Sequence, residues 1–296
     1  MGQQVERIGI VGAGRAGGAL ARALAAAGWP VVAVASRTPA HAERLAAALP
    51  QAAALPSAQA VVDAADLAFL TVPDAAIGPV AASVAWRPGQ AVAHTSGVDT
   101  LESLAPARQA GALVGSLHPL QTFGPAPAAD PLAPFAGITC ALEADATLLP
   151  RLEAIVAALG ARPVRLPAGA KPLYHAAAVV ASNYLVTLLH LAAELWGAFG
   201  VDESTAIDAL RPLVWGAVDN VAAHGPGQAL TGPIARGDAA TVEQHLAAIA
   251  RARPEALDAY RTLARATLAL ARTEGSLTPE AAGALARLLA DGAGAD

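Results

Sequence analysis

Short runs of apolar residues alternate with longer stretches of helical spacing along the first half of the chain. Each short run is typical of a strand buried on both faces, and each longer stretch is typical of a helix that packs on a sheet. The predicted strands are Arg7–Val11, Val31–Ala35, Leu67–Val72, Ala91–His94, Leu113–Leu117, Ile138–Leu142 and Arg162–Leu166. The predicted helices are Arg15–Ala27, Pro39–Leu49, one that begins at Asp74, and Ala146–Leu159. This alternation predicts a doubly wound parallel sheet with helices on both faces.

The pattern changes at Leu166–Gly169, beyond which we predict helices alone. These helices are Pro172–Phe199, Glu203–Ala223, Ala239–Ala250, Pro254–Thr273 and Pro279–Ala290. Asp202, Asp238 and Thr278 precede three of them and are predicted N-caps. We therefore predict an α/β domain over residues 1–167 and an all-helical substrate and dimerisation domain over residues 168–296. Gly124–Pro134 is predicted to be a loop, and the tail after Asp291 is predicted to be frayed.

A tight turn near the start of the chain has the spacing G-x-G-x-x-G. It lies between the first predicted strand and the first predicted helix, where such a turn binds the diphosphate of a dinucleotide. Gly12 permits the turn, Gly14 lets the backbone approach the diphosphate, and Gly17 lets the helix pack on the strand. The predicted diphosphate-binding residues are Gly12, Ala13, Gly14, Arg15, Ala16 and Gly17. The first domain is therefore predicted to be a Rossmann domain.

The residues after the second strand distinguish the two nicotinamide cofactors. An acidic side chain at this place binds the ribose 2′-hydroxyl of NAD. The chain instead has Ser36 followed by Arg37, whose guanidinium suits the 2′-phosphate of NADP. Val72 and Pro73 end another strand, and we expect them near the cofactor because ligands bind at the carboxyl ends of parallel strands. We predict NADP(H), with NAD as the alternative.

Polar residues follow two further predicted strands, at the edge of the sheet where cofactor and substrate meet. His94–Gly97 closes one strand and Ser116–Thr122 closes the other. Hydroxyl and imidazole groups at this edge suit the binding of a carboxylate or carbonyl, so Ser96 and His118 are candidate catalytic residues. Alternatively, these groups cap the strand ends and satisfy loop backbone.

The first helix of the second domain carries polar groups on an otherwise apolar segment. Lys171 lies where the helix begins and is a candidate general acid if burial lowers its pKa toward neutrality. His175 and Asn183 are further catalytic candidates and Ser182 is a candidate substrate contact, because such groups are costly on an apolar helix unless they face a cleft. Alternatively, Lys171 is exposed and Asn183 bonds to loop backbone.

The polar turn Leu230–Asp238 contains Thr231, which is a second candidate substrate contact unless the turn is only a connector. Histidine and carboxylate spacings predict no metal site, and we find no G-x-S-x-G elbow of a serine hydrolase. Hydride transfer needs neither, because a nicotinamide cofactor supplies the difficult chemistry.

Composition excludes several classes of protein. A chain that is 55% hydrophobic and 15% charged is not expected to be disordered. Its net charge of −5 and its 4% of aromatic residues are not those of a typical nucleic-acid-binding protein. Cys140 is the only cysteine, which fits a reducing compartment, and the first strand begins too close to Met1 for a signal peptide. We therefore expect a cytoplasmic protein.

One uncharged segment, residues 172–193, is close to the ~20 residues that a membrane-spanning helix requires. It contains His175, Ser182, Asn183 and His190, which are costly in hydrocarbon. We therefore expect a buried helix of a soluble protein without a membrane partner. The five predicted C-terminal helices have more apolar surface than they can easily bury among themselves, so we also expect a homodimer.

With these residues identified, the chain resembles the 6-phosphogluconate-dehydrogenase-like superfamily, which pairs a Rossmann domain with a helical domain. More closely, it resembles an uncharacterised family of Rossmann-like oxidoreductases whose helical half is a domain of unknown function. The segments that carry the resemblance are Gly9–Gly18, His94–Gly97, Ser116–Phe123, Tyr174–Val186 and Leu230–Asp238. They are distributed over nearly the whole chain.

Three characterised families match in part. His118-Pro119-Leu120 is similar to the His-Pro-Met of prephenate dehydrogenases, and the layout around Leu230–Asp238 is similar to pyrroline-5-carboxylate reductase. The glycine-rich segment of the latter enzyme is replaced by Ala181–Leu185. Lys171 and Asn183 resemble the lysine and an asparagine of ketopantoate reductases, although His175 replaces a second asparagine. The most specific activity that these three resemblances imply is that of an alternative type of ketopantoate reductase.

The sequence thus predicts an NADP(H)-dependent oxidoreductase that reduces the C=O or C=N bond of a small carboxylate-bearing substrate. Lys171 or His175 is the predicted proton donor, and an imine that is protonated before it binds would need none. A redox sensor that binds NADP(H) without catalysis is one alternative. A reductase that uses a deazaflavin coenzyme is another.

Overall fold

The computed structural model describes residues 6–124, 128–275 and 277–290. The predicted frayed tail after Asp291 and residues 125–127 of the predicted loop lie outside the described residues. The chain divides into two compact units, Met1–Val179 and Val180–Asp296. The first is an α/β unit, and the described part of the second is helical.

The first unit is built on an eight-stranded sheet. Its strands are β1 (Ile8–Val11), β2 (Val31–Ala35), β3 (Ala53–Ala54), β4 (Leu67–Leu70), β5 (Ala91–His94), β6 (Leu113–Pro119), β7 (Thr139–Ala144) and β8 (Arg162–Arg165). Their order in the sheet is β3-β2-β1-β4-β5-β6-β7-β8. This is the predicted doubly wound sheet, and the reversal of order beside β1 places a ligand crevice at the carboxyl end of that strand.

The prediction of a wholly parallel sheet is wrong at one place. β6 and β7 pair antiparallel, whereas the other neighbouring strands are parallel. The described residues between β6 and β7 contain no helix. A parallel pair needs a crossover, usually a helix, so a chain that returns without one enters the sheet in the opposite direction.

Six helices cover the two faces of the sheet. They are α1 (Arg15–Ala26), α2 (Pro39–Ala47), α3 (Ala58–Ala64), α4 (Asp74–Ala82), α5 (Ala105–Gln109) and α6 (Leu149–Ala158), and a 3-10 turn at Leu101–Leu104 precedes α5. Residues of α1, α2 and α6 form one buried cluster with Phe69 of β4, and residues of α3, α4 and α5 form another with Leu70. Neighbouring residues of one strand therefore anchor the two layers.

The helices that follow are α7 (Lys171–Ala181), which contains the division between the units, α8 (Asn183–Gly197), α9 (Glu203–Ala229), α10 (Ala239–Ala252), α11 (Leu257–Thr273) and α12 (Pro279–Leu288). The single helix predicted over Pro172–Phe199 is therefore two helices, which are interrupted at Ser182. α9 continues past its predicted end through a kink at Gly225, whose φ is 80°. The side chains of Asp202, Asp238 and Thr278 accept N-cap hydrogen bonds as predicted.

The expectation that the apolar segment near Lys171–Gly197 is buried is wrong for the single chain. Only 6% of its apolar window is buried, although by length and composition it could cross a membrane. The buried cluster of the second unit is formed instead mainly by α10, α11 and α12, with Leu246, Leu268 and Leu285 among its members. An apolar pattern predicts that a surface will be covered, but it does not specify what covers it.

Candidate active site

The turn between β1 and α1 requires glycine at two positions for reasons of packing. Gly12 has a φ of 113°, and a Cβ atom there would lie 2.6 Å from the carbonyl oxygen of Thr71. A Cβ atom on Gly17 would collide with the carbonyl oxygen of Gly12 and the hydroxyl of Thr71. The Thr71 hydroxyl donates a 2.6 Å hydrogen bond to Gly12, so β4 holds the turn against the helix.

Gly14 has no such packing reason. A Cβ atom there would meet no protein atom within 4 Å, and its φ of −78° is open to other residues. Gly14 is the N-cap of α1, makes no side-chain cap, and is followed by no acidic residue in the first turn. The amides at this helix end are therefore open to an anion, and the surface left by Gly14 fits a ligand that contacts the backbone. These features fit a dinucleotide diphosphate.

A cleft of about 810 Å³ lies beside this turn, between α1, α2 and the segment after β6. Arg15, Arg22, His41 and Arg44 line it, and no aspartate or glutamate is among its described lining residues. Burial lowers the pKa of Arg22. A cleft with cationic groups and without carboxylates favours an anionic ligand.

The remaining cofactor candidates follow strands on either side of β1. Ser36 comes directly after β2, where the amide of Gly12 donates a 2.8 Å hydrogen bond to the carbonyl of Ala35. Val72 and Pro73 follow β4, where the amide of Thr71 bonds to Val11. The sheet thus brings these segments to the same edge as the glycine turn, and Arg37 is exposed there.

His94, the last residue of β5, and Ser116, in the middle of β6, are register partners in neighbouring strands. His94 is fully buried, and its Nδ1 atom accepts a 3.2 Å hydrogen bond from the amide of Ser96. The Ser96 hydroxyl accepts hydrogen bonds from the amides of Val98 and Asp99, at 3.2 and 2.9 Å. The Ser96 side chain therefore caps the loop, which is the alternative that its sequence position left open.

Lys171 is fully buried, so the alternative of an exposed lysine is wrong. Its Nζ atom donates 2.6 Å hydrogen bonds to the carbonyl oxygen of Ser96 and to the hydroxyl of Ser116. Burial lowers the pKa of Lys171 to about 8, and the carboxylates of Glu143, Asp99 and Asp74 oppose that shift. Lys171 thus connects the start of α7 to the loop after β5 and to the middle of β6.

A cluster of three rings lies beside this connection. The Nδ1 atom of His118 and the hydroxyl of Tyr174 share a 2.8 Å hydrogen bond, and the rings of His118 and His175 are 6.2 Å apart, edge to face. A Cβ atom on Gly97 would lie 2.6 Å from His175 and 2.8 Å from the Nε2 atom of His118. Glycine at position 97 therefore lets both imidazoles approach the loop after β5.

The environment fixes the protonation states of His118 and Tyr174 at neutral pH. Burial, and next the charge of Lys171, lower the pKa of His118 to about 4. Burial raises the pKa of Tyr174 to about 12. His118 is therefore a neutral imidazole with one N–H donor and one acceptor, and Tyr174 keeps its hydroxyl proton.

Sequence reasoning did not select Tyr174 or Glu143, although Tyr174 lies between two candidates, Lys171 and His175. A tyrosine in an apolar helix does not reveal that its hydroxyl has a polar partner. The position of Glu143 opposite Ser116 depends on the antiparallel pairing of β6 and β7, which the sequence did not predict. The adjacency of Tyr174 to Lys171 and His175 was the only available signal.

Three predicted site residues belong to the second unit. Asn183 begins α8 and is exposed, and Ser182 is half-buried. Thr231 is exposed and lines a cleft of about 260 Å³ with Arg236. Their substrate and catalytic roles remain predictions. Within the described residues, no group of three His, Cys, Asp or Glu side chains could hold a metal ion.

Two family models match the chain. Residues 2–119 match a Rossmann-like domain, and residues 138–267 match the Domain of unknown function (DUF2520). The chain therefore carries a Rossmann-like domain followed by a DUF2520 domain, which confirms the resemblance given by its motifs. No curated protein matches the chain in sequence.

Solved structures share the fold over nearly the whole chain. A protein from Bacteroides fragilis that is named as an NADP oxidoreductase is 26% identical, with a TM-score of 0.71 over 88% of this chain and 97% of its own. An imine reductase from a Pseudomonas species is 22% identical, with a TM-score of 0.64 over 96% and 99%. A 1-pyrroline-5-carboxylate reductase from Streptococcus pyogenes is 17% identical, with a TM-score of 0.59 over 92% and 99%. The predicted fold class is confirmed.

Proposed function

We propose that the protein is an NADP(H)-dependent oxidoreductase that reduces the C=O or C=N bond of a small carboxylate-bearing substrate. The observation that carries this proposal is Gly14, which no protein contact requires and which leaves bare backbone at the start of α1. A diphosphate against that backbone explains the glycine. When bound, the reduced nicotinamide supplies the hydride.

The preference for NADP(H) over NAD rests on charge. Ser36 and Arg37 follow β2, so this strand end has no carboxylate to repel a 2′-phosphate and has a guanidinium to bind it. The neighbouring cleft adds Arg15, Arg22 and Arg44 without a carboxylate among its described lining residues. The naming of the Bacteroides fragilis protein as an NADP oxidoreductase also supports this choice.

Tyr174 is the group best suited to supply the proton, because it is half-buried and keeps its hydroxyl proton at neutral pH. A substrate oxygen or nitrogen that gains charge on reduction can take this proton. His118, which is neutral and shares a hydrogen bond with the Tyr174 hydroxyl, orients that group. Lys171 was a predicted donor, but its Nζ atom is fully buried and has two acceptors within the protein. His175, which packs against His118, remains a second candidate.

The carboxylate on the substrate is proposed from the buried charge. Lys171 donates to a carbonyl and a hydroxyl, both of them uncharged. After burial, the charge of Lys171 is the next largest cause that lowers the pKa of His118. The potential on the His118 side of Lys171 is therefore positive and favours a negatively charged substrate group. The predicted contacts Ser182, Asn183 and Thr231 are part of the same proposal.

Calorimetric titration of Gly14→Ala with NADPH tests the proposal. We expect affinity to fall at least about tenfold because a methyl group would occupy the space of the diphosphate, while the melting temperature stays unchanged. Gly216→Ala is the matched control, since a Cβ atom at that glycine also meets nothing within 4 Å. Wild-type affinity in Gly14→Ala, or no binding of NADPH by the wild type, would overturn the proposal.

Activity separates the enzyme from the alternatives. We expect steady oxidation of NADPH with at least one member of a panel of 2-oxo acids and cyclic imines. A redox sensor would bind NADPH and show no turnover over that panel. A deazaflavin-dependent reductase would instead bind the deazaflavin in a fluorescence titration and leave NADPH unbound.

The homodimer predicted from the sequence is also proposed. Several large apolar side chains of α8 and α9 are more than half exposed in the single chain: Tyr184, Val186, Leu213, Trp215 and Val218. Contiguous apolar surface of this kind is uncommon on soluble monomers. A second copy of the chain is the proposed cover.

A further inference from the structure

Lys171 is the only lysine of the chain, beside 18 arginines. Every other basic side chain, histidine aside, is a guanidinium, which is larger, planar and permanently charged. An ammonium is compact, and its pKa changes readily when it is buried. Position 171 therefore uses a property that arginine does not provide.

The contacts of Lys171 indicate what that property does. One ammonium fits between the Ser96 carbonyl and the Ser116 hydroxyl, with 2.6 Å to each. Ser96 precedes Gly97, and Ser116 lies two residues before His118 on β6. Lysine therefore fixes the spacing between the loop that contacts both imidazoles and the strand that carries His118.

A carboxylate lies on the other side of Ser116. Glu143 of β7 is the direct antiparallel partner of Ser116, so both side chains are on the same face of the sheet. The Oε2 atom of Glu143 is buried and has no hydrogen-bond partner among the described residues. Glu143 also lines a cleft of about 520 Å³ with Thr100, Glu102 and Arg108. Ser116 thus accepts a hydrogen bond from the ammonium and shares one face of the sheet with the carboxylate.

We propose that Lys171 and Glu143 form a charge pair beside Ser116 that positions β6 and the loop after β5, and that both are positioning residues. Lys171 in this role gives no proton to the substrate. The expected effect on kcat rests on the proposed function, whereas the charge pair itself does not.

The electrostatics support this assignment. Burial raises the pKa of Glu143 and lowers that of Lys171, and in each case the charge of the other residue opposes the shift. The other charged or titratable groups that act on the lysine or feel its charge are Asp99 after β5, Asp74 of α4, His94 of β5 and His118 of β6. A second positive charge on either imidazole is unfavourable beside a buried ammonium.

The single lysine makes the charge pair directly measurable. Protein grown with isotope-labelled lysine gives one side-chain carbon resonance, whose titration reports Lys171 without assignment. We expect Glu143→Gln to lower the titration midpoint by about one pH unit, a tenfold weaker proton affinity. Glu102→Gln removes another carboxylate of the same cleft and should leave the midpoint near its wild-type value. An unchanged midpoint in Glu143→Gln would refute the pair.

Lys171→Met tests the positioning role in the full-length protein. We expect the NMR titration of His118 to move about one pH unit higher and kcat for NADPH oxidation to fall more than tenfold, with NADPH affinity unchanged. Lys171→Arg should not restore kcat, because the guanidinium exceeds the space between the two oxygens. Lost turnover with an unmoved His118 titration would make Lys171 the donor and refute the assignment.

The two proposals fail in distinguishable ways. If Lys171→Met does not fold, Ser116→Ala removes the hydroxyl that Lys171 bonds and should shift the Lys171 resonance titration, and no shift would refute the role of Ser116 in the charge pair. If wild-type protein does not bind NADPH, the proposed function fails, while the lysine titration still decides the charge pair.

Discussion

The two units differ in the kinds of side chain that they bury. All five polar or charged side chains that are buried among the described residues, namely Gln90, His94, Ser96, Ser116 and Lys171, lie in the first unit. The second unit buries a smaller apolar cluster and leaves residues such as Leu213 and Trp215 at 70% and 62% exposure. The first unit thus has a core that is large enough to enclose a polar site. The second unit has exposed apolar surface, which a partner can cover.

The largest expected effect comes from a matched pair of substitutions. Leu152 of α6 is fully buried and Leu213 of α9 is 70% exposed. We expect Leu152→Ala to lower the free energy of unfolding by about 3 kcal/mol, because it leaves a cavity in a packed core. Leu213→Ala should change it by less than about 0.5 kcal/mol in dilute solution, where the chain is monomeric.

Urea denaturation at low protein concentration measures both variants. Equal losses in the two would mean that α9 is as well packed as the first unit, and the comparison between the units would fail.

A charge on the exposed face of α9 should separate the proposed dimer. Val218 is 56% exposed in the single chain. If a second copy covers it, Val218→Asp buries a carboxylate and should raise the dimer dissociation constant at least about a hundredfold, or about 2.7 kcal/mol. Light scattering over a dilution series gives the constant. Leu263→Asp on α11, at 46% exposure, is the control that should leave the dimer intact. A monomeric wild-type protein would disprove the dimer.

The buried histidine of the first unit should make that unit sensitive to acid. Burial, and next the charge of Lys171, lower the pKa of His94 from 6.5 to about 3. In the unfolded chain His94 protonates near its ordinary pKa, so its contribution to stability is present above pH 6.5 and is lost as the pH falls toward 3. We expect a loss of about 2 kcal/mol between pH 6.5 and 4.5.

His94→Gln should remove about 2 kcal/mol of the pH dependence of the unfolding free energy over that interval and leave the part due to His118, whose pKa is also lowered. A slope equal to that of the wild type would show that His94 is protonated in the folded protein or is not the group responsible.

Much of the first unit follows from local sequence signals. The strands Val31–Ala35 and Ala91–His94 have their predicted bounds, because each is a short apolar run between clear breaks. The phosphate-binding turn was predictable because its glycines meet steric demands over a few residues. The strand β3 was not predicted, since two alanines carry no periodicity.

The polar site depends on contacts between distant residues, so its members were predictable as candidates but their geometry was not. Lys171 and Ser116 are 55 residues apart, and Tyr174 and His118 are 56 apart. The sequence identified the polar members Lys171, His118 and His175, but it did not predict which of them is buried. Whether α8 and α9 are exposed depends on what covers them, and the hydrophobic pattern of a single chain does not specify that cover.

The smallest effect concerns helix caps, where two threonines form a matched pair. Thr278 is the N-cap of α12 in the second unit, and its hydroxyl accepts a 3.3 Å hydrogen bond from the amide of Ala281. Thr38 is the N-cap of α2 in the first unit and makes no side-chain cap. We expect Thr278→Ala to lower the unfolding free energy by about 1 kcal/mol, because it leaves an amide of the first turn without its partner. Thr38→Ala should have no measurable effect. The same denaturation experiment decides, and equal losses would mean that the two units cap their helices alike, so that they differ only in what they bury.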